Sequence, residues 1–285
     1  MTNLDQLRQG GGAELADLCA GGGGLRTDSP ASTMFHYRVN DMARARFRRN
    51  LITDYLDDHS GPGEDGSAII TAGVPGAGKS TMLAHRVDDT ANYRQLDADV
   101  VKVALIEKAL KDGLYDDLLS RTLDDGYNIA PLELAALVHR ESTILIDVIR
   151  AECIARRENV IIDGTLTWPG HADVIYDQLA AAGYRRILVL GVEVERAVAH
   201  RQALSRWWND RVAWSAGGNI LGGRYTPAYA IDDGYDADSR SLCARHAMGI
   251  LDKAKGGDVE SVDVEIYTPS TVGVYEIIDK GEYRR

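Results

Sequence analysis

SAIITAGVPGAGKSTMLA, residues 67–84, decides the fold. It passes from an apolar, β-rich run at 68–72 through a glycine-rich loop into a segment that can start a helix at 81–84. Inside it, GVPGAGKS at 73–80 meets G-x-x-x-x-G-K-[ST] at every fixed position, and strand, loop and helix are the context that motif requires. Its chemistry is anion binding. Gly73, Gly76 and Gly78 carry no Cβ to obstruct backbone N–H groups turning inward on one anion. Amides of the helix beyond Lys79 add to the positive field. Lys79 reaches the β and γ phosphates as a mobile point charge, and the Ser80 hydroxyl completes the shell of a Mg²⁺ held mainly by phosphate and water. Pro75, Ala77 and Thr81 belong to the same nucleotide-wrapping stretch.

The rest of the composition narrows the class. With 285 residues, 45% of them hydrophobic, the chain suits one large α/β domain with additions. A net charge of −11 argues against a nonspecific nucleic-acid binder, which needs a basic stripe to neutralise phosphates. Cys19, Cys153 and Cys243 are odd in number and widely spaced, so neither a disulfide framework nor a zinc site is expected. No apolar run approaches the ~18 residues that span a bilayer, and the first thirty lack a signal-peptide core. The expected compartment is cytoplasmic, without a membrane partner.

Upstream of the loop, residues 1–66 read as an extension to a domain at 67–285. Glycine runs at 10–12 and 21–24 flank a weak helical segment at 13–19, a composition that stays flexible unless docked. Residues 35–56 repeat Met42, Phe47, Leu51, Ile52 and Tyr55 at helical spacing, with Arg44, Arg46, Arg48 and Arg49 on an expected solvated face. HSGPGEDG at 59–66 is a turn-rich linker.

Downstream, YRQLDADVV at 93–101 predicts a short strand ending near Leu96. Asp97 and Asp99 fall on one side if the extended conformation persists. Ligands of open parallel sheets gather beyond the carboxyl ends of strands, and a kinase acting on a hydroxyl needs a carboxylate there to take its proton. Capping a helix that begins at Val100 is the competing role for either aspartate. Residues 131–157 predict a long helical pattern broken near His139, where Glu141 and His139 can reach substrate and where a surface role for His139 is the simpler reading. NVIIDGT at 159–165 reads as a buried strand delivering Asp163 beside the phosphate loop, to orient Mg²⁺, its water or substrate, or simply to cap a turn. In the helix at 195–208, regular geometry places Arg201 in a stripe with Ala197, Leu204 and Trp208, and Arg206 nearly opposite. A guanidinium in an apolar stripe needs an anion, which phosphate supplies. Arg224 lies in GGRYTP, where glycines allow a lid to move and arginine offers planar donors to a phosphoryl group. A structural salt bridge is the alternative for both arginines. A helix at 238–255 and strands at 261–268 and 273–278 complete the chain.

In this order, GVPGAGKST, LDADVVK, NVIIDGTLT, RQALSRWW and GGRYTP resemble the zeta toxin family of P-loop kinases over most of residues 67–231. The resemblance implies an α/β fold, a P-loop kinase-type parallel sheet sandwiched by helices with an N-terminal helical extension. It implies ATP and Mg²⁺ at Lys79 and Ser80, Asp99 as catalytic base, and sugar-nucleotide contacts from Asp163 and Thr165. Family members often have an arginine two residues beyond that threonine; this chain has Thr167. R-x-T-P carries an ATP-phosphate role onto Arg224, and Arg followed by an aromatic carries one onto Arg206, whereas helix register favours Arg201; both remain candidates. The implied activity is ATP-dependent phosphorylation of UDP-N-acetylglucosamine on a sugar hydroxyl, blocking cell-wall precursor synthesis, with a small helical antitoxin as partner. Competing readings are an antibiotic or polynucleotide kinase and a nucleotide-gated interaction protein.

Overall fold

Every residue of SAIITA is buried, as befits a central strand covered on both faces. In the computed structural model this run is β1 (Ser67–Ala72), followed by β2 (Arg94–Leu96), β3 (Val160–Ile162), β4 (Arg186–Val192), β5 (Ser261–Thr271) and β6 (Val274–Arg284). They form one sheet in the order β2-β3-β1-β4-β5-β6. The first five strands pair in parallel; β6 returns antiparallel along β5. That return departs from a purely parallel expectation because the two residues between β5 and β6 are too few for a crossover. The second strand ends at Leu96, as its spacing predicts.

The structure describes residues 3–57, 62–237, 240–271 and 274–285. Residues 59–61 of the expected linker, Asp238 at the expected helix start and Gly273 at the expected strand start lie outside them. In chain order the helices are α1 (Asn3–Cys19), α2 (Thr33–His36), α3 (Met42–Asp57), α4 (Lys79–Arg86), α5 (Ala98–Lys111) and α6 (Asp116–Leu119). Then come α7 (His139–Ala155), α8 (Pro169–Ala181), α9 (Arg196–Ser215), α10 (Ala228–Asp232) and α11 (Leu242–Ala254). A 3-10 turn at Pro131–Val138 precedes α7, so the predicted break does fall at His139. Among the described residues no helix is long and apolar enough to cross a membrane.

The chain divides into two compact units of three segments each. A helical unit comprises Met1–Ile52, Ala98–Ile146 and Arg201–Ala228; a sheet unit comprises Thr53–Asp97, Asp147–His200 and Tyr229–Arg285. The sheet unit contains all six strands, with α4 and α11 packed on them and α8 on α11. Cys243, Ala247, Ile250 and Ala254 form the buried stripe of α11 at helical spacing, and Ser241 Oγ caps its start by accepting from Ala244 N–H.

In the helical unit, α1 runs straight through the glycines at 10–12 instead of starting at 13. Three interior glycines disfavour a helix by roughly 1 kcal/mol each, so packing must carry it. Leu15 and Cys19 are buried, the Tyr225 hydroxyl donates to the Gly12 carbonyl at 3.2 Å, and Arg8 donates to Ser205 Oγ at 3.0 Å. The glycine-rich start is a docked helix.

Two arginine expectations change as well. On α3, Arg46 and Arg49 are exposed, but Arg44 turns inward, its guanidinium 4.2 Å from the Tyr37 ring centre and 4.8 Å from that of Phe47. On α9, which stays regular through Trp207 and Trp208 to Ser215, the buried positions are Ala199, Ala203, Trp207 and Arg211. The inward phase is set by Trp207, not Trp208, so Arg201 lies outside the buried stripe.

Candidate functional site

The phosphate loop lies in the sheet unit, between β1 and α4. Gly76 and Gly78 have φ of 83° and 91°, left-handed values that favour glycine. Gly78 is the N-cap of α4 and, lacking a side chain, makes no capping bond, which leaves the first N–H groups of the helix suited to an anion. Lys79 Nζ donates to the Gly73 carbonyl at 3.0 Å, folding the ammonium back over the loop. Pro75 is half-buried and Ala77 buried, while Ser80 and Thr81 are exposed in the first turn of α4.

The end of β3 joins this loop because β3 is the parallel neighbour of β1. Gly73 N–H donates to the Thr165 carbonyl at 3.0 Å. Asp163, the first residue beyond β3, accepts on Oδ1 from the Thr71 hydroxyl of β1 at 2.6 Å, and Gly164 N–H donates to the same hydroxyl at 3.1 Å. Thr165 Oγ1 accepts from Thr167 N–H at 3.3 Å. Between the two threonines, Leu166 is fully buried at φ 55°, a strained backbone of the kind that persists where surroundings over-determine it. The Leu166 carbonyl lies 2.8 Å from His246 Nδ1. Asp97 follows β2 at the same sheet edge; its N–H donates to the Tyr55 hydroxyl at 3.1 Å, and that hydroxyl donates to the Gln95 carbonyl at 2.8 Å. Burial pushes the Tyr55 phenol up to about 12, so it stays a neutral clamp on this strand end.

The donor set fits Mg²⁺. The Ser80 hydroxyl and Asp163 carboxylate are hard oxygen ligands. Among the described residues no group of three or more His, Cys, Asp or Glu could hold a metal ion, so an ion here depends on phosphate and water for most of its shell.

The helical unit holds a second constellation. α5 begins at Ala98, which ends the extended backbone before Asp99 and removes the expected alternation of Asp97 and Asp99 on one strand. Asp99 instead occupies the first turn, where a helix dipole favours a carboxylate. Its Oδ1 accepts from Lys102 Nζ at 2.9 Å and its Oδ2 is ion-paired with Arg224. The glycines before Arg224 are closely approached by their neighbours. A Cβ on Gly222 would stand 2.5 Å from Ala130 Cβ, and one on Gly223 would stand 2.4 Å from the Trp207 carbonyl oxygen.

Glu141 lies in the same unit. It is buried and accepts from Arg44 Nε at 2.8 Å, Arg44 Nη2 at 2.6 Å and Arg48 Nε at 2.6 Å, an internal ion pair. Arg201 and Arg206 are both exposed on α9. The buried arginine of that helix is Arg211, held by Asp125 and Glu133. Lys102 and Thr71 are the contacting residues that sequence reasoning passed over. Lys102 was legible as the i+3 neighbour of Asp99 once 98–101 is read as helix; Thr71 shows only through the pairing of β1 with β3.

The profile of the zeta toxin family matches residues 53–261, most of the chain and all of the loop, the Asp99 turn and the β3 end. The chain belongs to the zeta toxin family. No curated protein matches it in sequence. Among solved structures, this zeta toxin family member is similar to the PezAT chromosomal toxin–antitoxin system of the human pathogen Streptococcus pneumoniae, with a TM-score of 0.52 and 12% identity, over 86% of this chain and 81% of that one. It is also similar to AvrRxo1-ORF1:AvrRxo1-ORF2 with sulphate ions, with a TM-score of 0.54 and 13% identity over 84% and 67% of the two chains. The AvrRxo1-ORF1:-ORF2 structure with ATP gives 0.53 and 13% over 83% and 67%. At these identities the likeness is one of fold: a P-loop kinase-like α/β architecture.

Proposed function

We propose that this zeta toxin family member is an ATP-dependent kinase that phosphorylates a sugar hydroxyl of UDP-N-acetylglucosamine or a closely related UDP-sugar, and thereby inhibits cell-wall synthesis. One observation carries the reading: the left-handed Gly78 opens the α4 amides to phosphate, and Gly73 ties that loop to the segment bearing Asp163 and Thr165. The AvrRxo1-ORF1:-ORF2 structure with ATP and the toxin–antitoxin character of PezAT support it.

On this reading the amides of residues 73–81 and Lys79 bind the triphosphate. Ser80 and Asp163 would hold Mg²⁺, which would supply neutralisation of phosphate charge. Asp99 takes the proton of the acceptor hydroxyl as its oxygen forms the bond to the γ phosphorus and the bridging P–O bond breaks, leaving ADP. Arg224 and Arg206, with Arg201 as the alternative on the same helix, neutralise the charge on the transferring group. Asp97, Glu141, Asp163, Thr165 and Thr167 orient the sugar nucleotide, with Glu141 itself held by Arg44 and Arg48. A small helical antitoxin is the proposed protein partner, and the cytoplasm the proposed compartment.

The test is incubation of the purified chain with labelled ATP, Mg²⁺ and a panel of UDP-sugars, antibiotics and oligonucleotides. Label on UDP-N-acetylglucosamine is expected. Asp99→Asn should keep ATP binding and lose transfer by about 10²–10⁴-fold. Label confined to an antibiotic or an oligonucleotide would overturn the substrate assignment, and unchanged transfer in Asp99→Asn would overturn the base.

A further inference from the structure

Lys102 is the group beside Asp99 for which the kinase reading has no use. Both lie on α5, three residues apart, so they share a face and move together. In an ordinary surface pair of this spacing the ammonium stays in water; here the Lys102 side chain is only 14% exposed while the Asp99 side chain is 40% exposed. The lysine side chain is largely covered while the carboxylate side chain keeps contact with solvent. A terminal carboxylate torsion is broad and nearly two-fold, so an aspartate with no fixed partner samples many orientations. Asp99 has a different cation on each oxygen: Lys102 on Oδ1 and Arg224 on Oδ2.

The two cations are not equivalent. Arg224 belongs to the segment between α9 and α10, distant in sequence, and its planar donors suit phosphate at least as well as a carboxylate. Lys102 is carried on the same helix as Asp99, three residues away. We propose that Lys102 is a positioning residue: it fixes Asp99 through Oδ1 and reserves Oδ2, the atom now paired with Arg224, as the one that receives the acceptor's proton. This rests on Asp99 being the base. In the step itself the hydroxyl proton passes to Oδ2 as the acceptor oxygen bonds to phosphorus and ADP departs, and protonated Asp99 then returns its proton to solvent.

Steady-state kinetics of the full chain with ATP, Mg²⁺ and UDP-N-acetylglucosamine test it, comparing wild type, Asp99→Asn, Lys102→Met, Lys102→Gln, Lys102→Arg and Lys102→Met in the Asp99→Asn background. A base displaced by about an ångström loses on the order of 10²-fold, so Lys102→Met should lower kcat by about 10–100-fold. The KM for ATP should stay within about twofold, and Lys102→Arg should recover most of the loss. In the Asp99→Asn background Lys102→Met should remove nothing more, since the two act as a unit. Thermal melting identifies a variant that fails to fold, in which case Lys102→Gln carries the same expectation. A wild-type kcat in a folded Lys102→Met enzyme that still needs Asp99, or an undiminished further loss in the Asp99→Asn background, overturns the role of Lys102 alone. Full activity in Asp99→Asn overturns the base assignment and this inference with it.

Discussion

Glu141 engages Arg44 through both its oxygens and Arg48 through one, inside the helical unit. Burial pushes its carboxyl up, and the bonds from Arg44 and Arg48 outweigh burial and leave it below the usual glutamate value. A carboxylate depressed in the folded state contributes stability above its unfolded value of about 4.3, and that contribution is lost as pH falls through the folded value. Chemical denaturation should therefore show Glu141→Gln less stable by about 3–5 kcal/mol at neutral pH, with a smaller loss of stability on acidification than wild type. Equal stability of the two proteins at pH 7 would mean the pair does no structural work. The same residue shows where sequence reading stops. Lys79 and Ser80 are legible because their chemistry sits within one short motif, whereas the partner that decides Glu141 lies 97 residues away. Asp99 lies between these cases: its identity as a candidate was readable, its helical setting and its contact with Arg224 were not.

Elements carry a different kind of information. The period of α9 was legible in its sequence and its phase was not, because Trp207 and Trp208 are equally good anchors until one is packed. The buried one brings Arg211 inward, where Nε donates to Asp125 at 2.5 Å and Nη1 to Glu133 at 2.8 Å, and Trp207 donates to Glu133 at 2.8 Å. Arg211→Ala leaves two carboxylates without their cation and should cost about 3–5 kcal/mol in urea unfolding; a cost within about 1 kcal/mol would contradict a buried network. α1 gives a second measurement at this scale. Burial pushes the Cys19 thiol up to about 12, and Cys153 likewise, so both should alkylate slowly in the native protein and rapidly in denaturant. Fast native labelling of Cys19 with slow labelling of Cys153 would show that α1 leaves its docked position. Composition alone pointed to a mobile start here because it weighs glycine as a helix breaker and has no access to what Leu15 packs on.

At the scale of the whole chain, a few apolar runs mark the sheet: β1, β3 and β4 are mostly hydrophobic stretches, which is how strands covered on both faces read. Those runs made the α/β class and the loop's place at the end of β1 legible. The antiparallel β6 and the assembly of each unit from three separate segments were not, because both depend on contacts between residues far apart in the chain. Membership of the zeta toxin family joins these parts into one expectation: a glycine-lined loop that grips ATP so that its terminal phosphoryl group can be passed on. Calorimetric titration of Mg²⁺–ATP into wild type and Lys79→Ala tests that expectation most directly. Saturable binding by the wild type is expected, with an affinity loss of about 10–100-fold in the variant, the worth of one or two hydrogen bonds from a charged donor. Wild-type protein that takes up no ATP, or a Lys79→Ala variant that binds it equally well, would mean that this loop is not an ATP site.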